Sequence, residues 1–368
     1  MKIAYIILKS ISWGGGIEKY TEEVGSRLAA KGHEIVIYTM RHYSETTSYR
    51  GMRIVPIPTL KTKSLEKITA SFIATMLQIF ERNIDIVHFH AFGPAMCCFI
   101  PRILGRKTVV QGHGLEWKRT RWGLGGQLFL RLAEVPSVMF SNAITVVSRV
   151  QQRYIRKRYG RESIYIPTGI NSPQLEEPNL IKQYGVNGDD YILFAARLVQ
   201  EKGAHYLIEA YKDLRTDLKL VIAGDALHEE DYKSKLYKIA QGNKNIIFTG
   251  FATGKLLNEL FSNCYLFVLP SEIEGFSTTL LEAMSYGNCC LVSDIPENIE
   301  AMRELGFSFK NKDIHDLKER LQYLINNRAT VESFKEKAKN YALDNYSWDR
   351  ITLEFEKFYN NPLENSKE

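Results

Sequence analysis

Residues 265–287 read YLFVLPSEIEGFSTTLLEAMSYG, and this stretch predicts a strand, a polar loop and a helix in that order. The first five residues form a continuous apolar run, which is typical of a parallel strand buried on both faces. Pro270 ends the run, and the pattern predicts a helix over 277–286 that stops at Gly287. Units of strand, loop and helix build doubly wound parallel sheets, so the stretch favours an α/β fold.

The same alternation runs along both halves of the chain. Predicted strands are 2–8, 33–39, 85–90, 107–112, 143–148 and 163–167 in the first half, and 191–196, 218–223, 245–249, 264–269, 288–293 and 306–309 in the second. Predicted helices include 17–31, 203–214, 253–263, 277–286 and 315–326. The repetition predicts two doubly wound α/β domains, and a length of 368 residues agrees with this at about 150 residues per domain.

A polar segment that contains prolines, near 167–179, marks the boundary between the halves. The predicted limits are 1–169 for an N-terminal domain and 170–345 for a C-terminal domain. Apolar residues recur through 347–359, so residues 346–368 are expected to form a helix and tail that pack back on the N-terminal domain.

Composition and cysteine spacing exclude several classes of protein. Hydrophobic residues make up 45% of the chain and charged residues 24%, which excludes a disordered, collagen-like or disulfide-stapled protein. The five cysteines lack zinc-site spacing and lie in apolar runs, so we interpret them as reduced, buried thiols of a cytosolic protein. The N-terminal apolar run is too short for a signal peptide, and no run of about 18 apolar residues predicts a transmembrane helix.

The net charge of +6 is concentrated in one window. Residues 101–162, the basic block, contain thirteen Lys or Arg and three Glu, so they carry a net charge of +10 and the rest of the chain carries −4.

The basic block has three interpretations: a solvated face, a nucleic-acid surface, or a surface for an anionic membrane or lipid-linked acceptor. No nucleic-acid-reading motif accompanies it, so nucleic acid is not an expected partner. The membrane is favoured because aromatic residues are interleaved with the cations. The residues concerned are Lys118, Arg119, Arg121, Arg153, Arg156, Lys157, Arg158 and Arg161, with Trp117, Trp122, Phe129, Tyr154 and Tyr159.

Candidate ligand-binding residues follow the predicted strands, where open parallel sheets bind their ligands. Glycines 14–16 follow the first strand and open a helix, which suits a phosphate or sugar oxygen, although a flexible turn has the same composition. Arg197 and Lys202 flank the loop after 191–196, which suits phosphate oxygens, although a solvated surface pair is the alternative.

Glu274 and Glu282 are the most specific candidates. Glu274 lies in the loop after 264–269, and Glu282 lies about one turn inside the following helix. Both carboxylates are placed to accept hydrogen bonds from one polyhydroxylated ligand, and the helix start at Ser277 and Thr278 suits a diphosphate. The alternative, an N-capped surface helix, is disfavoured because Glu282 lies within an apolar run.

Three histidines lie on or after strands in the first half. His113 follows 107–112 between two glycines, which indicates a functional position. His88 and His90 are predicted to face opposite sides of one strand, with His90 reaching the ligand. The alternative for a lone histidine is a core or surface position, and the spacing of the three supports no metal site.

Taken in order, these motifs resemble the retaining glycosyltransferases of family 4, the glycosyl transferases group 1. The resemblance rests on "GGGIE" at 14–18, "RLVQEKG" at 197–203 and "EGFSTTLLEAMSYG" at 274–287. It extends through "VHFH", "VVQGHGLEW", "TVVS", "IPTGI", "VIAGD", "FTGF" and the C-terminal "SW". It implies the GT-B fold, two facing Rossmann-like doubly wound domains with a C-terminal helix crossing back to the first.

The resemblance also implies roles for matching residues. Arg197 and Lys202 match the cations that bind the donor diphosphate, while Glu274 matches the sugar contact and Glu282 the ribose contact. Further donor contacts are implied for Gly15 and Gly16, for Gly250 and Phe251 beside the nucleobase, and for the amides of Phe276, Ser277 and Thr278. His113 matches the histidine near the transferring sugar and the acceptor. The implied catalytic residues are Glu274, His113, Arg197 and Lys202.

Two positions depart from the family pattern. Ala196 stands where glycine is usual before the arginine, and Thr168 replaces the usual asparagine of an interdomain element. The second departure puts a hinge contact in doubt.

The function implied is retaining transfer of a hexose-type sugar from a UDP- or GDP-linked donor to a glycan or lipid-linked acceptor, in cell-surface polysaccharide synthesis. No D-x-D motif occurs, so neither a metal nor another cofactor is expected. The expected location is cytoplasmic, peripheral on the inner face of the membrane. A nucleotide-sugar epimerase of the same architecture and a non-catalytic sugar-binding relative are the alternatives.

Overall fold

The computed structural model describes residues 1–11, 15–60, 62, 66–119, 122–226 and 229–360, without the side chains of residues 7 and 8. The chain divides into two compact units. Unit 1 contains Met1–Gly169 and the C-terminal helix that starts at Trp348, and unit 2 contains Ile170–Ser347.

The sheet of unit 1 has the strand order β3-β4-β2-β1-β5-β6-β7-β8. Every neighbouring pair is parallel except β3 and β4, which form a short antiparallel ladder. The strands are β1 (Lys2–Leu8), β2 (Glu34–Met40), β3 (Ser48–Tyr49), β4 (Met52–Ile57), β5 (Ile86–His90), β6 (Lys107–Gly112), β7 (Ala143–Val146) and β8 (Ile164–Tyr165). The helices between them are α1 (Gly16–Ala30), α2 (Glu66–Leu77), α3 (Phe99–Ile103), α4 (Leu124–Phe140) and α5 (Arg149–Tyr159).

Unit 2 has a wholly parallel sheet of order β11-β10-β9-β12-β13-β14. Its strands are β9 (Tyr191–Ala195), β10 (Lys219–Ala223), β11 (Ile246–Gly250), β12 (Leu266–Leu269), β13 (Cys290–Ser293) and β14 (Phe307–Phe309). Its helices are α6 (Ala204–Lys212), α7 (Glu230–Ala240), α8 (Gly254–Asn263), α9 (Thr278–Ser285), α10 (Pro296–Met302), α11 (Ile314–Asn326) and α12 (Arg328–Tyr346). The chain order reverses direction at β9 and β12, the topological switch point where doubly wound sheets bind ligands.

The last helix, α13 (Trp348–Asn360), packs on unit 1, as predicted for the C-terminal helix. Its apolar face is buried, and its polar face forms ion pairs with α1, such as Arg27 Nε to Asp349 Oδ1 at 2.7 Å. A Cβ atom on Gly169 would lie 2.5 Å from the Trp348 ring, so glycine lets the ring approach the end of unit 1.

The predicted α/β architecture with two Rossmann-like domains is confirmed, and each predicted strand lies within a few residues of an observed one. The two strands that were not predicted are β3 and β4. β3 is very short, and Pro56 interrupts the apolar pattern of β4. Proline is tolerated there because β3 pairs only with Met52 and Arg53, so the Pro56 nitrogen faces no ladder partner on that side.

The five cysteines are free thiols, four of them buried and Cys97 half-buried. Burial raises the pKa of Cys98, Cys264 and Cys289 to about 12, so these thiols stay protonated and unreactive. None of the helices in the described part of the chain has the length and apolarity needed to cross a membrane.

Candidate functional site

The candidate site in unit 2 forms where β9 and β12 end side by side. Ile192 pairs with Leu266 and Leu193 with Phe267 in parallel register, so the two strands open at the same edge of the sheet. The loops that follow them, 196–203 and 270–277, therefore adjoin. The Glu272 N–H donates to the Glu201 carbonyl oxygen at 2.8 Å, which joins the loops directly.

Gly203 allows the two loops to approach. Its φ is +70°, and a Cβ atom at this position would lie 2.0 Å from the Pro270 carbonyl oxygen. Any other residue would be strained and would also push against the backbone of the second loop. The glycine at the end of "RLVQEKG" therefore lets the two loops come together.

Lys202 and Glu274 meet in the space between these loops. Lys202 Nζ donates to Glu274 Oε1 at 2.5 Å, and Ser271 Oγ donates to the same oxygen at 2.7 Å. The two charged side chains are 14% and 8% exposed, so the ion pair is shielded on most sides but reachable. The structure thus brings together two of the predicted site residues and adds Ser271, which sequence reasoning did not select.

Helix α9 starts beside this pair. Ser277 is its N-cap, and its Oγ accepts the Leu280 N–H at 3.3 Å. Thr278 is the first helical residue, so its amide lies at the positive end of the helix dipole. The Phe276 ring is buried 5.6 Å from the Tyr346 ring, which leaves its backbone as the group available to a ligand. Glu282 is half-buried in the second turn of α9.

Arg197 lies on the same edge but its side chain is exposed. Its neighbours fix the loop backbone, because the Ala196 N–H donates to the Ala223 oxygen at 3.1 Å and the Leu198 N–H to the Asp225 oxygen at 3.0 Å. Gly224 makes this approach possible, since a Cβ atom there would lie 1.9 Å from the Ala196 oxygen. The structure holds the backbone of Arg197 next to the site and leaves the guanidinium in solvent.

Gly250 and Phe251 lie at the end of β11, two strands away from β9 in the sheet. Gly250 has a φ of +72°, and its carbonyl oxygen accepts the Gly224 N–H at 2.9 Å. The Phe251 side chain is 63% exposed, which is high for a phenylalanine. An exposed ring at this edge suits stacking on a planar ligand group.

In unit 1, the predicted placement of the histidines was wrong in one respect. His88 and His90 do not face opposite sides of β5: their rings stack at 4.7 Å with an interplanar angle of 20°. Residues two apart on a strand point to the same face, so the spacing itself predicts a shared side. His90 Nδ1 lies 3.1 Å from His113 Nε2, which links both to the predicted acceptor-side histidine.

This histidine cluster is tied to the C-terminal helix. His88 Nδ1 hydrogen-bonds the Tyr359 hydroxyl at 2.5 Å, and that hydroxyl lies 3.3 Å from the Tyr5 hydroxyl. Burial lowers the pKa of His90 to about 3 and lowers the pKa of His88 and His113 well below its usual range. The three imidazoles are therefore neutral at physiological pH. Sequence reasoning treated them as separate residues and missed the tyrosines.

The glycine loop is described only from Gly15 onward. Gly15 is the N-cap of α1 in extended backbone, and Gly16 is the first helical residue. A Cβ atom on Gly15 would lie 2.1 Å from Glu18 Oε2, whereas one on Gly16 would meet nothing within 4 Å. A larger residue at 15 would only displace the end of the Glu18 side chain, and the space beside Gly16 is open.

Several cations of the basic block are used within unit 1. Arg156 pairs with Glu162 at 3.1 Å, and Arg161 donates to the carbonyl oxygens of Met139 and Ser141. The block is therefore not one uniform free face. Arg121 falls outside the described residues.

Within the described ranges, no group of three or more His, Cys, Asp or Glu side chains is arranged to hold a metal ion. The expectation that the protein needs no metal stays a prediction.

Two family models match almost the whole chain. Residues 14–172 match Glycosyltransferase Family 4, and residues 176–341 match Glycosyl transferases group 1. The chain belongs to the family 4, group 1 glycosyltransferases. An uncharacterized glycosyltransferase of Methanocaldococcus jannaschii is 25% identical over 376 residues, covering 98% of this chain and 99% of its own.

Solved structures confirm the GT-B fold of this glycosyltransferase. Sucrose-phosphate synthase from Thermosynechococcus elongatus matches with a TM-score of 0.83 at 18% identity, covering 99% of this chain and 100% of its own. Anabaena HepE in complex with UDP-glucose matches with a TM-score of 0.81 at 18% identity, covering 97% and 98%. At these identities the likeness concerns the fold.

Proposed function

We propose that this glycosyltransferase moves a hexose-type sugar from a UDP- or GDP-linked donor to a glycan or lipid-linked acceptor, with retention of configuration at the sugar. The observation that carries the proposal is the shielded pair of Lys202 and Glu274 beside the start of α9. A cation, a carboxylate and a helix start on one sheet edge match the diphosphate and the hydroxyl groups of such a donor.

In this proposal unit 2 holds the donor. The diphosphate takes the Lys202 ammonium as a partner, and the Glu274 carboxylate, still held by Ser271, accepts hydrogen bonds from sugar hydroxyl groups. Glu282 accepts from the ribose, and the exposed Phe251 ring stacks on the base next to Gly250. The amides of Phe276, Ser277 and Thr278 complete the contacts to sugar and phosphate.

Bond cleavage places negative charge on the leaving diphosphate. Lys202 and the positive end of α9 stabilise that charge from fixed positions, and the exposed Arg197 side chain joins them when the donor binds. The sugar passes through an oxocarbenium-like state whose ring Glu274 orients. The scheme assigns no covalent nucleophile and needs no metal.

Unit 1 holds the acceptor in this proposal. His113 is a neutral imidazole hydrogen-bonded to His90, so near neutral pH it can accept a hydrogen bond from an acceptor hydroxyl group and orient it. The glycines at 15 and 16 supply backbone close to the donor phosphates. The proposed location is the cytoplasmic face of the membrane, where a lipid-linked acceptor and surface polysaccharide synthesis would place the protein.

The choice of nucleotide is tested by thermal shift with UDP, GDP and ADP on the purified full-length chain. UDP receives support from the fold relative whose structure holds UDP-glucose. We expect UDP or GDP to raise the melting temperature and ADP to have little effect. If no nucleoside diphosphate stabilises the protein, the donor assignment is wrong.

The two alternatives are separated by incubating the donor alone. A nucleotide-sugar epimerase would convert the donor sugar into an isomer that chromatography resolves. A non-catalytic sugar-binding relative would release no nucleoside diphosphate. We expect slow donor hydrolysis without isomerisation.

A further inference from the structure

Helix α4 carries an apolar stripe on its outward face. Leu124, Leu128, Leu132, Val135 and Met139 are between 40% and 87% exposed. At 3.6 residues per turn these positions fall within about 80° of arc. The opposite face packs into unit 1 through other residues, namely Leu130, Ala133, Ser137 and Val138. A surface helix normally has one apolar face, so the second one indicates a partner.

Helix α3 extends the stripe. The Phe99 ring lies 6.2 Å from the Phe140 ring at the end of α4. Ile103 and Leu104, beside them in α3 and its C-cap, are 78% and 52% exposed. The exposed apolar groups therefore form one surface across both helices, which we call the α3–α4 surface.

The outward face of α4 carries no carboxylate. Glu134, the sole acidic residue in the sequence of α4, is buried and accepts hydrogen bonds from the Tyr154 and Tyr159 hydroxyls at 2.7 Å each. Glu134 is thus removed from the stripe.

Cations border α4 at its C-terminal end and at its middle. Arg102 donates to the Ser141 carbonyl oxygen at 3.2 Å, and Arg161 donates to the Met139 oxygen at 3.2 Å, at the C-terminal end. At the middle of α4, the Arg131 guanidinium lies 4.1 Å from the Trp117 ring centroid. An apolar stripe bordered by Arg and Trp is the pattern of helices that lie in a membrane interface.

We propose that the α3–α4 surface docks on an anionic lipid bilayer, with the leucine stripe of α4 in the acyl boundary and the bordering arginines at the headgroups. The inference rests on the peripheral location proposed above and names the surface responsible, but it does not depend on the transfer chemistry. Charge favours lipid over a second copy of this chain, because antiparallel pairing of two α4 helices about their middle would bring Arg131 of one helix close to Arg131 of the other.

The test compares two leucines of equal exposure. Leu132 on α4 and Leu175 in unit 2 are each 61% exposed, so Leu132→Glu and Leu175→Glu make the same change at matched sites. Binding is measured by flotation of the full-length protein with phosphatidylcholine vesicles that contain phosphatidylglycerol, and with pure phosphatidylcholine vesicles.

We expect wild type and Leu175→Glu to float with the anionic vesicles and less with the neutral ones, and added salt to weaken flotation. Leu132→Glu should bind about tenfold more weakly or worse, because it puts a charge where a leucine side chain would be buried. Unchanged melting temperatures would show that both variants are folded.

Three results would overturn the proposal. The first is equal flotation of Leu132→Glu and wild type, which would assign binding to charge elsewhere. The second is no flotation of wild type. The third is a wild-type dimer that Leu132→Glu converts to a monomer, which would assign the surface to self-association.

Titration with UDP and GDP in the absence of lipid separates this proposal from the proposed function. Loss of nucleotide binding in wild type, Leu132→Glu and Leu175→Glu alike would contradict the proposed function and leave the membrane surface unaffected.

Discussion

Lys202 and Glu274 lie 72 residues apart in the sequence and share one hydrogen bond in the folded chain. Their residue types and their places after strands were sufficient to select both as candidates. Their direct pairing was not predictable, because it depends on β9 and β12 being neighbours in the sheet although two strands separate them in sequence. Ser271 was missed for the same reason, since a serine in a loop carries no signal until its partner is known.

The cations of the site should decide nucleotide affinity. Lys202→Ala and Arg197→Ala are each expected to weaken binding of the nucleoside diphosphate about tenfold or more, since each removes a charged donor to phosphate. Lys233→Ala is the control: this lysine pairs with Asp225 after the neighbouring strand β10. Titration calorimetry with UDP and GDP measures the three variants. Wild-type affinity in Lys202→Ala and Arg197→Ala would remove both residues from the donor site.

The buried histidines predict how stability depends on pH. The pKa of His90 is about 3 in the folded chain and 6.5 in the reference state, so between these values the unfolded chain binds more protons. The neutral, buried imidazole therefore makes its full contribution to the free energy of unfolding above pH 6.5. As the pH falls below 6.5, the free energy of unfolding decreases by about 1.4 kcal/mol per pH unit for one such histidine.

The measurement is urea unfolding followed by tryptophan fluorescence at pH 7.5 and pH 5.0. All four tryptophans, at positions 13, 117, 122 and 348, belong to unit 1, so the signal reports the unit that contains His90. Between pH 7.5 and pH 5.0, we expect the free energy of unfolding of His90→Asn to fall by about 2 kcal/mol less than that of wild type. Equal losses in the two proteins would show that His90 does not stay neutral in the folded chain.

At the scale of elements, the order of strands and helices followed from apolar runs and their periods. Fully buried strands such as β9 and β12 were predicted within two residues. The misses were short or irregular elements such as β3 and β4. Helix α13 was predicted from its apolar positions, but the contact of Tyr359 with His88 was not, since it joins residues 271 positions apart.

The contact between the loops after β9 and β12 gives an element-scale prediction. Gly203→Ala should separate these loops, because its Cβ atom would collide with the Pro270 oxygen. We expect it to lower nucleoside diphosphate affinity as well as the melting temperature. Gly242→Ala is the matched control, since Gly242 also has positive φ, +85°, but its Cβ atom would meet nothing within 4 Å.

Both glycine variants share the cost of a positive φ, which is about 1–2 kcal/mol for an alanine. Only Gly203→Ala should change binding in the titration. A folded Gly203→Ala variant that binds nucleoside diphosphate as tightly as wild type and Gly242→Ala would contradict this prediction. It would show that the site does not depend on the close contact between the two loops.

Across the whole molecule, counting charged residues along the sequence located the basic block but did not show what the block binds. Some of its arginines hold carbonyl oxygens or carboxylates of unit 1, as Arg161 and Arg156 do. The exposed leucines of α4 were not selected from the sequence, because apolar residues at helical spacing usually indicate a buried face. Which side of α4 is outward depends on the packing of the whole unit.

We propose that Glu274 serves transfer of the donor sugar and not the folding of unit 2. The most direct measurement is release of nucleoside diphosphate from UDP- and GDP-linked hexoses by wild type, Glu274→Gln and Glu272→Gln. Glu272 is the control because it is a neighbouring carboxylate that bonds Tyr206 and Lys312 instead. We predict that Glu274→Gln stays folded, binds nucleoside diphosphate and loses at least about 100-fold in turnover, while Glu272→Gln turns over like wild type. Turnover of Glu274→Gln at the wild-type rate would show that the Glu274 carboxylate does not serve transfer.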